Sequence, residues 1–314
     1  MTSMDMRDAF FERLLEVAQD DSRIIVLSAD HGALALSKFE SKFSSRYINM
    51  GIAEQNMVGV AAGLANSGKV VFIYGISPFV SLRVLEQLTV DVAAMNLAVN
   101  VISVGAGLTY STDSSTHLGL QDIGAISSIP GMNILNSSDP INTKAFVDIA
   151  LTNLGPNYIR IEKEKLDTFT RINSGFIEDG YSILSEINSD FCVVSTGALT
   201  HICLNATIEF TKLSGISVCV IDVHNLKYPK VDSLAKLLEG FKKIVSFEEN
   251  YLSGLASFLS KIYSNSNINN KITSIGIPEE FIFRSCDRES LRKTLGLSYD
   301  EILEVIQDNF KDKP

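Results

Sequence analysis

Gly51-Ile52-Ala53-Glu54-Gln55-Asn56-Met57-Val58-Gly59-Val60-Ala61-Ala62-Gly63-Leu64-Ala65 places one carboxylate at the head of a stretch with no other charge before Lys69. The small and apolar residues after Glu54 read as a buried helix, and Tyr47-Ile48-Asn49-Met50 reads as a short strand that feeds it. Burying an ionised side chain without a partner is costly, so Glu54 needs a solvent path or a ligand that shares its proton or hydrogen bond. The plain alternative is a helix N-terminal glutamate favoured by the helix dipole.

The same alternation continues on both sides of this stretch, which predicts an α/β fold with mainly parallel sheets. Upstream, Arg7 to Gln19 carries an apolar face of Phe10, Phe11, Leu14, Leu15 and Val17, and Ile24-Ile25-Val26-Leu27-Ser28 reads as a buried strand ending in Ala29-Asp30-His31-Gly32. Downstream, Val70 to Tyr74, Val99 to Val104 and Met132 to Asn136 read as strands, with a helix from Phe79 to Ala94. The segment Ile161 to Glu186 is charged and aperiodic. The expected division is a first domain over 1–165, a linker over 166–186 and a smaller α/β domain over 187–314. In the second domain, Phe191–Thr196, Ser217–Asp222 and Lys243–Phe247 read as strands, and Leu199–Leu213 and Val231–Leu238 as helices. Ligands in such sheets gather where strands end and helices begin, which singles out Glu54, Phe79 and the loop after Val104.

Composition narrows the function. A net charge of -10 and no tryptophan in 314 residues argue against a nucleic-acid surface, which needs a basic face. The four cysteines, at 192, 203, 219 and 286, form no CxxC pair and read as buried free thiols of a reducing compartment. The polar start and the absence of a long uncharged apolar run argue against a signal segment or a membrane span, so a cytoplasmic location is expected.

Several segments together resemble the transketolase family. Gly51 to Met57 is similar to its cofactor-glutamate segment. Tyr74-Gly75-Ile76-Ser77-Pro78-Phe79-Val80-Ser81-Leu82-Arg83-Val84-Leu85-Glu86-Gln87 is similar to its strand, aromatic and helix. Asp113 with Ser115-Thr116-His117-Leu118-Gly119-Leu120-Gln121-Asp122-Ile123 resembles its D-x-x-T-H-x-x-x-x-D-I segment. Asn136 to Pro140, Tyr158 to Ile161, Ile221 to Pro229 and Val245 to Asn250 follow in the same order. The resemblance covers the pyrimidine-binding and C-terminal domains of a full-length transketolase, and it implies thiamin diphosphate as cofactor.

On that resemblance Glu54 hydrogen-bonds N1′ of the aminopyrimidine, Phe79 stacks on the ring, and Ile52 and Arg83 complete the cofactor contacts. His117 contacts a substrate hydroxyl or carbonyl and moves protons. Asp113 and Asp139 accept bonds from sugar hydroxyls or else cap helices. Arg160 pairs with a phosphate or carboxylate, or else with Glu162 or a neighbouring acid. His31 is a weaker substrate candidate. His201 reads as helix surface, and His224 as structural or a subunit contact. The family holds the diphosphate through Mg²⁺ on a Gly-Asp-Gly segment, which this sequence lacks. The chain is therefore expected to act beside a separate N-terminal-type subunit carrying that segment and the Mg²⁺ ligands, as an α2β2 heterotetramer working on a sugar or sugar phosphate. One position departs from the family. Gly105 stands where transketolases carry a donor-side histidine, so the donor end is expected to be roomier or differently built. Two rivals share parts of this pattern: a deoxyxylulose-phosphate synthase-like or 2-oxo acid dehydrogenase E1 β-type subunit, and a non-catalytic regulatory or scaffold subunit.

Overall fold

A computed structural model describes residues 3–30, 32–266, 268 and 270–310. The chain forms two compact units. The first comprises the residues up to Thr109 together with Thr116–Thr168, and the second comprises Tyr110–Ser115 together with the chain from Phe169.

The first unit is built on strands β1 (Ile24–Ser28), β2 (Tyr47–Asn49), β3 (Val70–Ile76), β4 (Val99–Val104), β5 (Asn133–Asn136) and β6 (Asn157–Ile161). They form one six-stranded sheet in the order β2-β1-β3-β4-β6-β5, and every pairing is parallel. Strands β1, β3 and β4 are buried throughout, as an all-parallel sheet covered on both faces requires, which is why β1 and β3 read as nearly continuous apolar runs, while β4 also buries Asn100 and Ser103. Helix α1 (Met6–Val17) is capped by Asp5, whose carboxylate accepts from the amides of Arg7 and Asp8. It packs Phe11 edge-on against Tyr74 with ring centroids 5.1 Å apart. Helix α2 spans Leu34–Lys42, and helix α3 spans Glu54–Asn66. Its buried Met57, Val58, Ala61, Ala62 and Ala65 give it the apolar face that its sequence shows.

The second unit has strands β7 (Tyr181–Ile183), β8 (Phe191–Ser195), β9 (Cys219–Val223), β10 (Lys243–Tyr251) and β11 (Lys271–Ile277), ordered β11-β10-β8-β9-β7. Only β7 runs antiparallel to its neighbour. Both units thus have the α/β architecture expected from the alternation of strand and helix patterns.

Three expectations change. The stretch 166–186, read as linker, contains the helix Phe176–Asp179 and the edge strand β7. The single helix expected from Phe79 to Ala94 is instead a run of turns, one helical turn at Leu85–Gln87 and a wider coil over Leu88–Ala93. Its amides reach back five residues, from Arg83 to the Pro78 carbonyl and from Ala94 to that of Thr89. Cysteines 192, 203 and 219 are buried, but Cys286 is half-exposed because it lies in an extended segment outside the sheet. Among the described residues no helix is long and apolar enough to cross a membrane.

Candidate active site

Glu54 is the first residue of α3. Asn49, at the end of β2, accepts from the amides of Asp30 and Gly51 and fixes the turn that delivers it. The glutamate is 3% exposed. Its Oε2 accepts from Arg83 Nη1 at 2.9 Å, and its Oε1 is buried with no hydrogen-bond partner. Such an atom forfeits about 1–3 kcal/mol of solvation unless something else supplies the bond.

Phe79 lies on the turn that follows β3, where the amides of Phe79 and Val80 both bond to the Ile76 carbonyl. That turn folds tightly onto the strand: a Cβ on Gly75 would come 2.6 Å from Val80 Cγ1. The Arg83 guanidinium lies 4.3 Å from the Phe79 ring centroid, in cation–π range. The His117 ring meets Phe79 edge-on at 5.2 Å, and its Nδ1 is 2.8 Å from Thr116 Oγ1. Glu54, Arg83, Phe79 and His117 thus form one linked chain of contacts. A second orphan acceptor, Gln87 Oε1, lies on the next helical turn. Ile52, two residues before Glu54, is 78% exposed.

The other candidates fall elsewhere. Arg160 is buried and fully engaged: Nε bonds Asp122 Oδ2 at 2.6 Å, Nη1 bonds Asn136 Oδ1 at 3.0 Å and Nη2 bonds the Gly119 carbonyl at 2.9 Å. Burial opposes its charge, but the Asp122 carboxylate beside it holds its pKa above the ordinary value. The same Asp122 oxygen accepts from Ser77 Oγ and Tyr158 OH, and burial pushes the Tyr158 phenol well above its ordinary pKa. Its partner is Asp122 rather than Glu162, so Arg160 braces the loop that carries His117. Asp139 is buried as the N-cap of Pro140–Thr152 in a reciprocal capping box with Asn142, the structural alternative anticipated for it. Asp113 is exposed within Tyr110–Ser115, the segment that clusters with the second unit. His31 lies outside the described residues. Gly105 adopts φ +93°, a left-handed backbone that a histidine would enter only under strain. His201 stacks on Phe169, and His224 is buried 3.7 Å from Asp222. Asp122 is the residue that sequence reasoning missed; its only signal was its place in the T-H-x-x-x-x-D-I segment.

The arrangement is chemically specific. An apolar turn offers one aromatic face, one buried carboxylate oxygen and one imidazole, which suits a flat nitrogen heterocycle that shares a proton with the acid. Among the described residues, no cluster of three or more histidine, cysteine or acidic side chains is placed to hold a metal ion.

Comparison with known proteins shows the family. Residues 2–168 match the family model "Transketolase, pyrimidine binding domain" and residues 180–302 match "Transketolase, C-terminal domain". The chain belongs to the transketolase family. It is 29% identical, over 92% of its length and 95% of the relative, to one of the subunits of the apulose-4-phosphate transketolase of Phocaeicola vulgatus. It is 34% identical, over 71% of its length and 69% of the relative, to the 6-deoxy-6-sulfo-D-fructose transketolase subunit SqwH of a Clostridium species. A solved structure described as a split-gene transketolase in an inactive beta4 tetramer superposes over 100% of both chains, with a TM-score of 0.85 at 26% identity.

Proposed function

We propose that this chain is the pyrimidine-binding and C-terminal subunit of a split, thiamin-diphosphate-dependent transketolase, which moves a two-carbon ketol unit from a ketose to an aldose. The observation that carries the reading is the buried, unpartnered Oε1 of Glu54, linked through Arg83 to the Phe79 ring. An acid so placed fits the N1′ edge of an aminopyrimidine, and the Phe79 ring fits its face.

When bound, the cofactor supplies a nucleophilic ring carbon and an electron sink. Glu54 holds or shares a proton at N1′, while Phe79 and Arg83 fix the plane of the ring. His117, held by Thr116 and packed on Phe79, donates a hydrogen bond to the substrate's reacting oxygen and exchanges protons there. Asp113 is kept as a candidate for a sugar hydroxyl. The diphosphate and Mg²⁺ require oxygen ligands, and the Gly-Asp-Gly segment that provides them in the family is absent from this sequence. The likeness to transketolase subunits and to a split-gene transketolase supports a second subunit that carries that segment and completes the site, as an α2β2 assembly. At the donor end Gly105 offers no side chain, which favours a sugar different from the common pentose phosphates.

The test uses the chain reconstituted with a Gly-Asp-Gly-bearing partner, ThDP and Mg²⁺. Ketose plus aldose is expected to give ketol transfer, with no turnover from either subunit alone. Turnover of pyruvate instead of a ketose assigns the synthase or dehydrogenase chemistry. Substantial activity without a partner refutes the split site.

A further inference from the structure

Ser77 lies two residues before Phe79, at the foot of the turn that carries the ring, and is fully buried. Its backbone serves the turn itself: the amide donates to the Val104 carbonyl at 2.9 Å, and the carbonyl accepts from Ser81 Oγ at 2.6 Å. Its hydroxyl reaches elsewhere. It donates at 3.0 Å to Asp122 Oδ2, the oxygen that also accepts from Tyr158 OH and Arg160 Nε. Asp122 opens the helix Asp122–Ser127, five residues beyond His117, and Arg160 holds the Gly119 carbonyl between the two. The same hydroxyl abuts Gly119, where a Cβ would come 2.8 Å from Ser77 Oγ and 2.7 Å from the Gly105 carbonyl. One buried side chain thus joins the turn of Phe79 to the segment of His117, whose rings meet at 5.2 Å.

We propose that Ser77 is a positioning residue: its hydroxyl sets the spacing between the Phe79 ring and the His117 imidazole, and so aligns the group that meets the substrate with the ring that seats the cofactor. Its weight in catalysis rests on the function proposed above, whereas the placing of His117 does not. A hydrogen bond to a carboxylate is stronger than a neutral one, which suits this bond to fixing a spacing. The two sides of the joint are unequal. Without the hydroxyl, the Phe79 turn keeps the bonds of the Phe79 and Val80 amides to the Ile76 carbonyl and the packing of Val80 on Gly75. The segment of the half-buried His117 is held through Gly119 and Asp122, and both of these rest on Ser77. Loss of the hydroxyl is therefore taken up at His117, while Glu54 and Phe79 stay in place.

Two alanine variants separate placing from plain stabilisation. S77A removes the joint, while S81A removes an equally buried hydroxyl of the same turn whose bond goes to the Ser77 carbonyl. In the isolated chain the Cε1–Hε1 NMR signal of His117, one of four histidines, is assigned with H117N, and F79L marks its position without the neighbouring ring. S77A is expected to move that signal toward the F79L position, and S81A to leave it. In the enzyme reconstituted with its partner, S77A is expected to lower kcat by ~10–10²-fold with cofactor affinity unchanged, since a small misplacement of a reacting group costs rate. S81A is expected to keep both. An unmoved His117 signal in S77A, or equal effects of the two variants, overturns the proposal. A moved signal with unchanged kcat overturns the weight of Ser77 in catalysis. The spectral measurement needs neither cofactor nor partner, so failure of ketol transfer in the reconstituted wild type counts against the proposed function and not against the placing of His117.

Discussion

Under the proposed function Glu54 is the residue on which the chemistry turns, and its isolation in the sequence is also what makes it legible. A lone carboxylate heading an uncharged helix has to be explained by a partner, and the structure provides only half of one, through Arg83. E54Q keeps the size and the Arg83 contact while removing the acid. In the reconstituted enzyme it is expected to lower kcat by ~10²–10⁴-fold, read by steady-state kinetics, with an unchanged melting temperature. Arg160 makes the opposite point. From sequence alone it could equally have served a phosphate, because the acid that claims it lies 38 residues away. R160M leaves Asp122 buried and unpaired, a situation that typically costs about 3–5 kcal/mol, to be measured by denaturant unfolding of the isolated chain. A surface role for Arg160 would instead leave unfolding almost unchanged.

At the level of elements, the sheets were readable because parallel strands covered on both faces must be apolar at nearly every position, as in Ile24–Ser28 and Val70–Ile76. Two strands escaped. β7 is three residues long, and β11 is only partly buried, so neither rises above its surroundings. The wide coil after Phe79 escaped because its composition suits an ordinary helix and its bonding pattern leaves no trace in residue periodicity. A neighbouring element carries a testable charge. Glu249 on β10 is buried against Arg288 and Arg292, its Oε1 accepting from Arg292 Nε at 2.6 Å. Burial alone would raise its pKa, but the two guanidinium groups outweigh burial and hold it well below the ordinary 4.5. The folded value lies below the unfolded one, so this stabilisation is complete above about pH 4.5 and disappears as the pH falls through the depressed value. E249Q is therefore expected to lower stability at pH 7 and to flatten the acid limb of a stability–pH curve. An acid limb as steep as that of the wild type would show that the ion pair carries no such linkage.

For the whole molecule, the telling feature is the excursion of Tyr110–Ser115 into the second unit. There the Ser115 amide and the hydroxyls of Ser114 and Ser115 all bond the Ile282 carbonyl, and Ser285 Oγ bonds the Thr112 carbonyl. Ser114 sits at φ +63°, a strained setting that those bonds must sustain. No cut at a single peptide bond can therefore liberate two intact halves. A fragment ending at Thr168 would carry a stranded hexapeptide, while the complementary fragment would lose the donors its Ile282 carbonyl accepts. Calorimetry of the intact protein should accordingly give one transition, and separately expressed halves should each melt lower than that transition. Anyone wishing to graft the first unit onto another scaffold would have to transplant a discontinuous piece, because the covalent thread and the compact unit do not share the same borders.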